Sequence, residues 1–319
     1  DRRDRLGPLR GRIQTFRGSL MPPVSPMMNQ PQILSSSWAG YQLIDSGNQR
    51  KLERFGETIV IRSEPKAWWK PDLDDTAWSK AHAIHDDKTG LWKIRKAGLS
   101  RAWLIPYRTA SFQARLTDGS KHLGIFPEQS PHWDWVSESI RSAGSRPGSS
   151  APRVLNLFGY TGAASIAATA AGAAVTHVDA SKPSVGWARE NQKFSHLDDA
   201  PIRWLIEDAL KYVQREIRRG SQYEGIMLDP PSFGRGPKGE VWKVEEQIVS
   251  LLGFCRELLS PDARFLVLTL YNLEASSLML RNLVSAMLPA GQVTFGELAL
   301  AHQHSDKQLP LSLWCRWSR

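Results

Sequence analysis

The chain has no apolar run of about 18 residues, the length a helix needs to cross a bilayer, so no transmembrane helix is expected. It has two cysteines, Cys255 and Cys315, both in apolar segments and without C-x-x-C spacing. That excludes a disulfide framework or a cysteine-ligated zinc site and fits a reducing, cytoplasmic setting. Its eight histidines form no ligand set. His302 and His304 lie two apart in a polar stretch and read as a loop, so no metal is expected. There is no internal repeat, no long low-complexity tract and no signal-peptide apolar core.

What is present is an ordinary globular composition with a basic surplus: 41% apolar, 23% charged and a net charge of +9 over 319 residues. Such a surplus suits a polyanionic partner such as nucleic acid, or a mildly basic enzyme. Residues 1–20 carry six arginines, and Met21 opens an aperiodic stretch. Residues 1–30 are read as a disordered basic extension outside the fold: an upstream reading-frame extension, an RNA-binding arm or an Arg-rich transit peptide.

From Trp38 to about Trp135 the pattern is short and strand-like, as in "YQLIDSG" and "ERFGETIVIRS", with Gly, Asp and Pro at the boundaries. Eight of the thirteen tryptophans fall here, interleaved with Lys and Arg. Most read as core residues, while the basic-aromatic mixture suits an RNA-binding surface. Residues 31–140 are therefore expected to form a β-rich substrate-binding domain. "RSAGSRPGSSAP" (141–152) reads as a linker. After it strand and helix alternate from "RVLNLFG" to "SSLMLRNLVSAML", and two strands close the chain without room for a crossover helix. The expectation for 153–319 is an α/β doubly wound, mostly parallel seven-stranded sheet with an antiparallel C-terminal hairpin.

In "VLNLFGYTGAAS" (154–165), Asn156, Gly159 and Gly162 sit where the first strand turns into the first helix, at the ligand-binding edge of such a sheet. Asp179 ends the second strand, where a carboxylate can accept from both ribose hydroxyls. Glu207-Asp208-Ala209 ends the third, where an acid can read an adenine amine. The pattern is not G-x-G-x-x-G and offers little to a pyrophosphate. An adenosine-bearing cofactor without a diphosphate fits, and S-adenosylmethionine is one.

"LDPPSFGRG" (228–236) ends a buried strand in an acid and two prolines. The prolines stiffen the strand end, so that the carboxylate and carbonyls of Asp229-Pro230-Pro231 face a pocket as acceptors, an arrangement suited to a substrate amine. Phe233 is placed to stack a flipped base. Arg235, Lys238 and Trp242 in "GRGPKGEVWK" are candidate substrate contacts on a loop that can close over the site. Tyr271 and Asn272 follow the fifth strand.

These segments, read together, resemble the class I S-adenosylmethionine-dependent methyltransferases. They are similar to the branch of bacterial 23S rRNA methyltransferases acting on cytosine or guanine, which carries N-L-F-[SG]-Y-T-G, D-x-S and D-P-P-x-F in this order. The resemblance covers roughly residues 120–319. It implies that "GIFPEQSPHWDW" (124–135) places Phe126 and Gln129 at the methionine end of the cofactor, and that Phe158, Tyr160, Thr161, Ala180 and Ser181 join the cofactor site. In the cytosine-modifying relatives a cysteine just past the fifth strand attacks the base. Here that stretch is "LVLTLYNLEASS", without cysteine. Direct transfer to nitrogen, which needs positioning and no protein nucleophile, is the expected chemistry. The expected substrate is a base of structured, ribosomal RNA. A protein or small-molecule methyltransferase, or a non-catalytic RNA-binding or assembly factor, is the alternative.

Overall fold

The computed structural model describes residues 30–143 and 150–319. Residues 1–29 of the basic extension and half of the expected linker, 144–149, lie outside these residues.

The chain opens with β1 (Gln32–Ser35), then runs through β2 (Tyr41–Gly47), β3 (Arg50–Phe55) and β4 (Thr58–Ser63). A short helix α1 (Asp75–Ser79), N-capped by Asp74, leads to β5 (Ala83–Asp86) and β6 (Leu91–Ile94). Strands β2 to β6 form a five-stranded sheet in sequence order. β7 (Ala102–Tyr107) and β8 (Ala110–Arg115) form a separate hairpin. The strand-like stretch "ERFGETIVIRS" is thus a hairpin turning at Gly56, and β7 turns into β8 at Arg108, both positions with positive φ.

The strand-like reading also fails after residue 120. Residues 121–126 are loop leading into a 3-10 turn (Pro127–Gln129), and α2 (Ser130–Ala143) follows. Trp133, Val136 and Ile140 recur at helical spacing in α2 and are buried, and Pro131 sits in its first turn. The helix enters the expected linker by three residues.

The remainder alternates as expected: β9 (Arg153–Leu157), α3 (Ala163–Ala170), β10 (Ala174–Asp179), α4 (Lys182–Phe194), β11 (Ile202–Ile206), α5 (Ala209–Arg218) and β12 (Gly225–Leu228). Two short strands, β13 (Phe233–Arg235) and β14 (Val241–Lys243), pair as a hairpin where a plain loop was expected. Then come α6 (Val244–Leu258), β15 (Phe265–Tyr271), α7 (Ser277–Met287), β16 (Gln292–Ala301) and β17 (Gln308–Ser318). The large sheet runs β1-β16-β17-β15-β12-β9-β10-β11. β17 is its antiparallel member, paired with β15 and β16 on either side. The sheet is mostly parallel with antiparallel C-terminal strands, and an eighth strand, β1, adds to the seven expected by pairing parallel with β16.

Packing crosses the expected partition at 141–152. Val136 and Ile140 of α2 pack with Val154, Met227 and Phe265 of the large sheet. One buried cluster joins Tyr41, Phe55 and Phe112 to Ala163, Ile166, Leu300 and Leu309. A bridge pairs Leu43 with His302, and Gln303 N–H donates to the Leu43 carbonyl at 3.0 Å. The N-terminal sheet is therefore seated against the end of β16.

Candidate active site

The turn from β9 to α3 is held in a form few residues tolerate. Phe158, Tyr160 and Gly162 all have positive φ, 58°, 52° and 83°. At Gly159 a Cβ would lie 2.3 Å from His177 Cε1, so that position accepts no side chain. Behind it a buried chain of polar groups fixes the floor: Asn156 Nδ2 donates to Ser165 Oγ at 2.8 Å, and Ser165 Oγ lies 3.0 Å from His177 Nδ1. Burial lowers the His177 pKa to about 3, which keeps the ring neutral. Thr161 Oγ1 donates to the Gly124 carbonyl, tying this turn to the segment before α2.

Asp179 at the end of β10 accepts from Tyr160 N–H and Ser181 N–H, both at 2.8 Å. Burial raises its pKa above the usual carboxylate value, and the two backbone amides pull against that. Each oxygen keeps a lone pair for a further donor. Ser181 caps α4 and, with Ala180, borders the same cavity. At the end of β11, Asp208 caps α5 by accepting from Lys211 N–H at 2.9 Å, and Glu207 is held by the Arg215 guanidinium in a fork. Both acids and Ala209 line the cavity, already engaged by partners of their own.

A cavity of ≈ 410 Å³ opens over these strand ends, lined by Phe158, Tyr160, Asp179, Asp208 and Trp242 among others. A second chamber of ≈ 410 Å³ lies toward the N-terminal sheet. His122, Phe126, Asp229 and Tyr271 line both. A narrow pocket of ≈ 70 Å³ lined by Gln129, Asn156, Gly159, Asp229 and Thr269 reaches beneath them. Asp229 borders all three spaces. Its Oδ1 accepts from Thr269 Oγ1 at 2.5 Å, and Gln129 Nε2 donates to Thr269 Oγ1 at 3.2 Å. Burial raises its pKa to about 7, aided by the charge of Glu128 and opposed by its bonds to Thr269 and Gln129.

A family model described as "S-adenosylmethionine-dependent methyltransferase" matches residues 110–273, the span that contains the β9–α3 turn, the strand-end acids and the β13–β14 hairpin. The chain belongs to this family. The family's cofactor fits the residues present: a half-buried carboxylate with free lone pairs at the second strand end, a turn that admits no side chain at Gly159 or Gly162, and a cavity without a phosphate cradle. The ribosomal RNA large subunit methyltransferase K/L of Shewanella frigidimarina is 36% identical over 235 residues, covering 67% of this chain and 31% of that protein. The ribosomal RNA large subunit methyltransferase I of Aeromonas salmonicida is 32% identical over 154 residues, covering 45% of this chain and 36% of that protein. The chain thus spans about a third of the length of these two curated relatives. The crystal structure of a SAM-dependent methyltransferase from Agrobacterium tumefaciens superposes with TM-score 0.85 at 44% identity, covering 90% of this chain and 93% of that one.

For the methyltransferase site, several residues stand elsewhere than their sequence context suggested. The Pro231 carbonyl accepts from Trp242 Nε1 at 2.7 Å, so it serves the hairpin and is not an open acceptor. Trp242 is buried, its ring 4.9 Å from that of Phe158, and it anchors β13–β14 over the cofactor-side cavity. Arg235 lines that cavity too, not the second chamber. Lys238 is exposed at the hairpin turn, its N–H donating to Glu240 at 2.9 Å. Phe233 is exposed on β13, and Pro230 is buried. Tyr271 and Asn272, the latter with φ 57°, line the second chamber. Phe126 and Gln129 meet the cofactor loop, with Phe126 and Tyr160 rings 5.5 Å apart. Cys255 and Cys315 are free and buried in one core cluster, and burial pushes the Cys315 thiol up to about 12 and Cys255 higher.

Of the chamber's far wall, only the general basic character of this region was read from the sequence, and Lys51, Arg62, Lys121 and Glu128 were not singled out. Lys51, Arg62, Lys66, Lys121 and Glu128 line it with Glu64. Arg62 grips the fully buried Glu53 in a fork at 2.7 Å, and Lys51 bridges Glu53 and Glu64 at 3.6 and 3.4 Å. That clamp lowers the Glu53 pKa to about 2 against the burial that raises it. The signal was the alternation of charges inside "RKLERFGETIVIRS", where Lys51 and Arg62 are direct cross-strand partners.

Proposed function

We propose that the chain transfers methyl groups from S-adenosylmethionine to a nitrogen on a base of structured ribosomal RNA, in a reducing, cytoplasmic compartment. The observation that carries this reading is Asp229, a carboxylate at the junction of the cofactor cavity and a basic-walled chamber, with both thiols buried in the core. The names of the curated relatives support the ribosomal RNA part.

When bound, S-adenosylmethionine supplies an electrophilic methyl group. Asp179 would hold its ribose hydroxyls, the Phe158–Gly162 turn would lie against it, and Gln129 would face its methionine end. Ionised Asp229 accepts from a substrate N–H, which aims the nitrogen lone pair into the cofactor-side cavity. It is also placed to take the proton that the nitrogen loses. Tyr271 and Phe126 flank the passage between the two spaces, so a planar base entering it is bounded by rings. Lys66 and Lys121 bring positive charge to the base's entry, while Lys51 and Arg62 are paired with Glu53 and Glu64.

Labelled methyl donor is incubated with the protein and ribosomal RNA from cells lacking it. Label released by ribonuclease and recovered as an N-methylated base is expected. Label released only by protease overturns the RNA reading, and 5-methylcytosine overturns transfer to nitrogen.

A further inference from the structure

Trp68 is 85% exposed, more than any other large apolar side chain among the described residues, the next being Ile33 at 63%. A tryptophan left in water forgoes the burial its size ordinarily gains. Here the exposure is built in. On either side of it Ala67 is fully buried and Trp69 packs against the core, its Nε1 donating to the Ser46 carbonyl at 2.9 Å. The backbone is pinned by Asn48 N–H to the Trp69 carbonyl at 2.7 Å and by Gln49 N–H to the Ala67 carbonyl at 2.8 Å. Trp68 cannot turn inward without breaking these bonds, so the loop presents it outward in a fixed place.

That place adjoins the second chamber. Pro65 and Lys66, immediately before Ala67 on the same loop, line the chamber. Lys66 Nζ donates to the Leu311 carbonyl at 2.5 Å, fixing the loop to the large sheet. Lys66 and Lys70 are exposed on either side of Trp68 in the chain, and Lys121 lines the chamber with Lys66. Of the acids close by in sequence, Asp72 pairs with Lys307, Asp74 caps α1 and Glu64 pairs with Lys51.

We propose that Trp68 is a stacking platform for an unpaired nucleotide of single-stranded or looped RNA next to the one that enters the chamber. Flat apolar surface between cations is what a base followed by a phosphate complements. The inference rests on the RNA reading given above and assigns it a contact outside the chamber.

The test uses the full chain with Trp68→Ala and Trp68→Phe, anisotropy of a fluorescent single-stranded RNA oligonucleotide, and calorimetry of S-adenosylmethionine binding as a check on folding. Trp68→Ala should bind RNA roughly tenfold more weakly. Trp68→Phe should stay within about threefold. Neither should change cofactor affinity, and the salt dependence should be unaltered because no cation is removed. Equal RNA affinity of Trp68→Ala and the unaltered chain overturns the platform alone. Failure of the unaltered chain to bind RNA, with the cofactor still bound, overturns the RNA reading and the platform with it.

Discussion

Asp229 concentrates the electrostatic tension of the site, since its role as an acceptor needs the charge that its surroundings resist. With burial and Glu128 lifting its pKa to about 7, a group that must be ionised should give a methyl-transfer rate that rises with pH and levels off above that value. Asp229→Asn should lower the rate by at least about 100-fold and remove the acidic limb. Glu128→Gln takes away a negative charge facing Asp229, which eases its ionisation, so the limb should move to lower pH. A pH–rate profile on both variants checks this, and an unmoved limb in Glu128→Gln would sink the coupling. Stability carries the opposite sign. A carboxyl whose folded pKa lies above its unfolded one binds its proton more tightly when folded. Its contribution is complete below about pH 4 and is lost as pH rises through about 7. In the absence of cofactor, Asp229→Asn should therefore raise Tm at pH 8, by about 2–4 °C, and do little at pH 4.

At the scale of elements, the β13–β14 hairpin depends on Trp242, whose indole joins the Pro231 carbonyl to the Phe158 ring. Trp242→Ala should cost about 3–5 kcal/mol in stability and weaken cofactor binding, because it removes the cover of the Asp179 cavity. Trp242→Phe keeps the ring and loses the hydrogen bond, at about 1 kcal/mol. Denaturant melts and calorimetry separate the two. The hairpin also marks where the sequence stops being informative. The βα alternation after residue 150 was legible because each strand-to-helix change shows as a change of period, and strand-end acids gather at one edge of any doubly wound sheet. Asp179, Asp208 and Asp229 could be placed on that logic alone. The hairpin's three-residue strands are held by a side chain reaching a carbonyl 11 residues away, which no local pattern records. Strand β1 finds its place through β16, and the Lys51–Arg62 wall meets Asp229 only through tertiary packing. Helix α2 was hidden for a plainer reason: its aromatic first turns follow an aromatic, strand-rich stretch, and its 3–4 spacing becomes clear only over the full 14 residues.

At the scale of the molecule, one chamber draws its walls from the middle of the chain and the other from both ends, and the core that supports them is shared. Trp38, Phe55 and Phe112 lie in one cluster with Ile166 of α3 and Leu309 of β17. Lys66 is tied to Leu311, and Ser46 Oγ sits 2.6 Å from His302 Nε2. If the N-terminal sheet were a separate module, loading the cofactor cavity would leave its melting unchanged. The shared cluster argues for one cooperative unit, in which opening either part strips apolar surface from the other. S-adenosylmethionine at about 100 times its Kd should then stabilise the whole chain by about 2.7 kcal/mol and move a single transition upward. Calorimetry read beside near-ultraviolet circular dichroism is decisive, because six of the thirteen tryptophans lie in residues 38–103 and report on the N-terminal part. Coincident transitions that shift together support one unit. Two transitions, with only one responding to cofactor, would show that the chamber's basic wall is an independent module docked against the catalytic half.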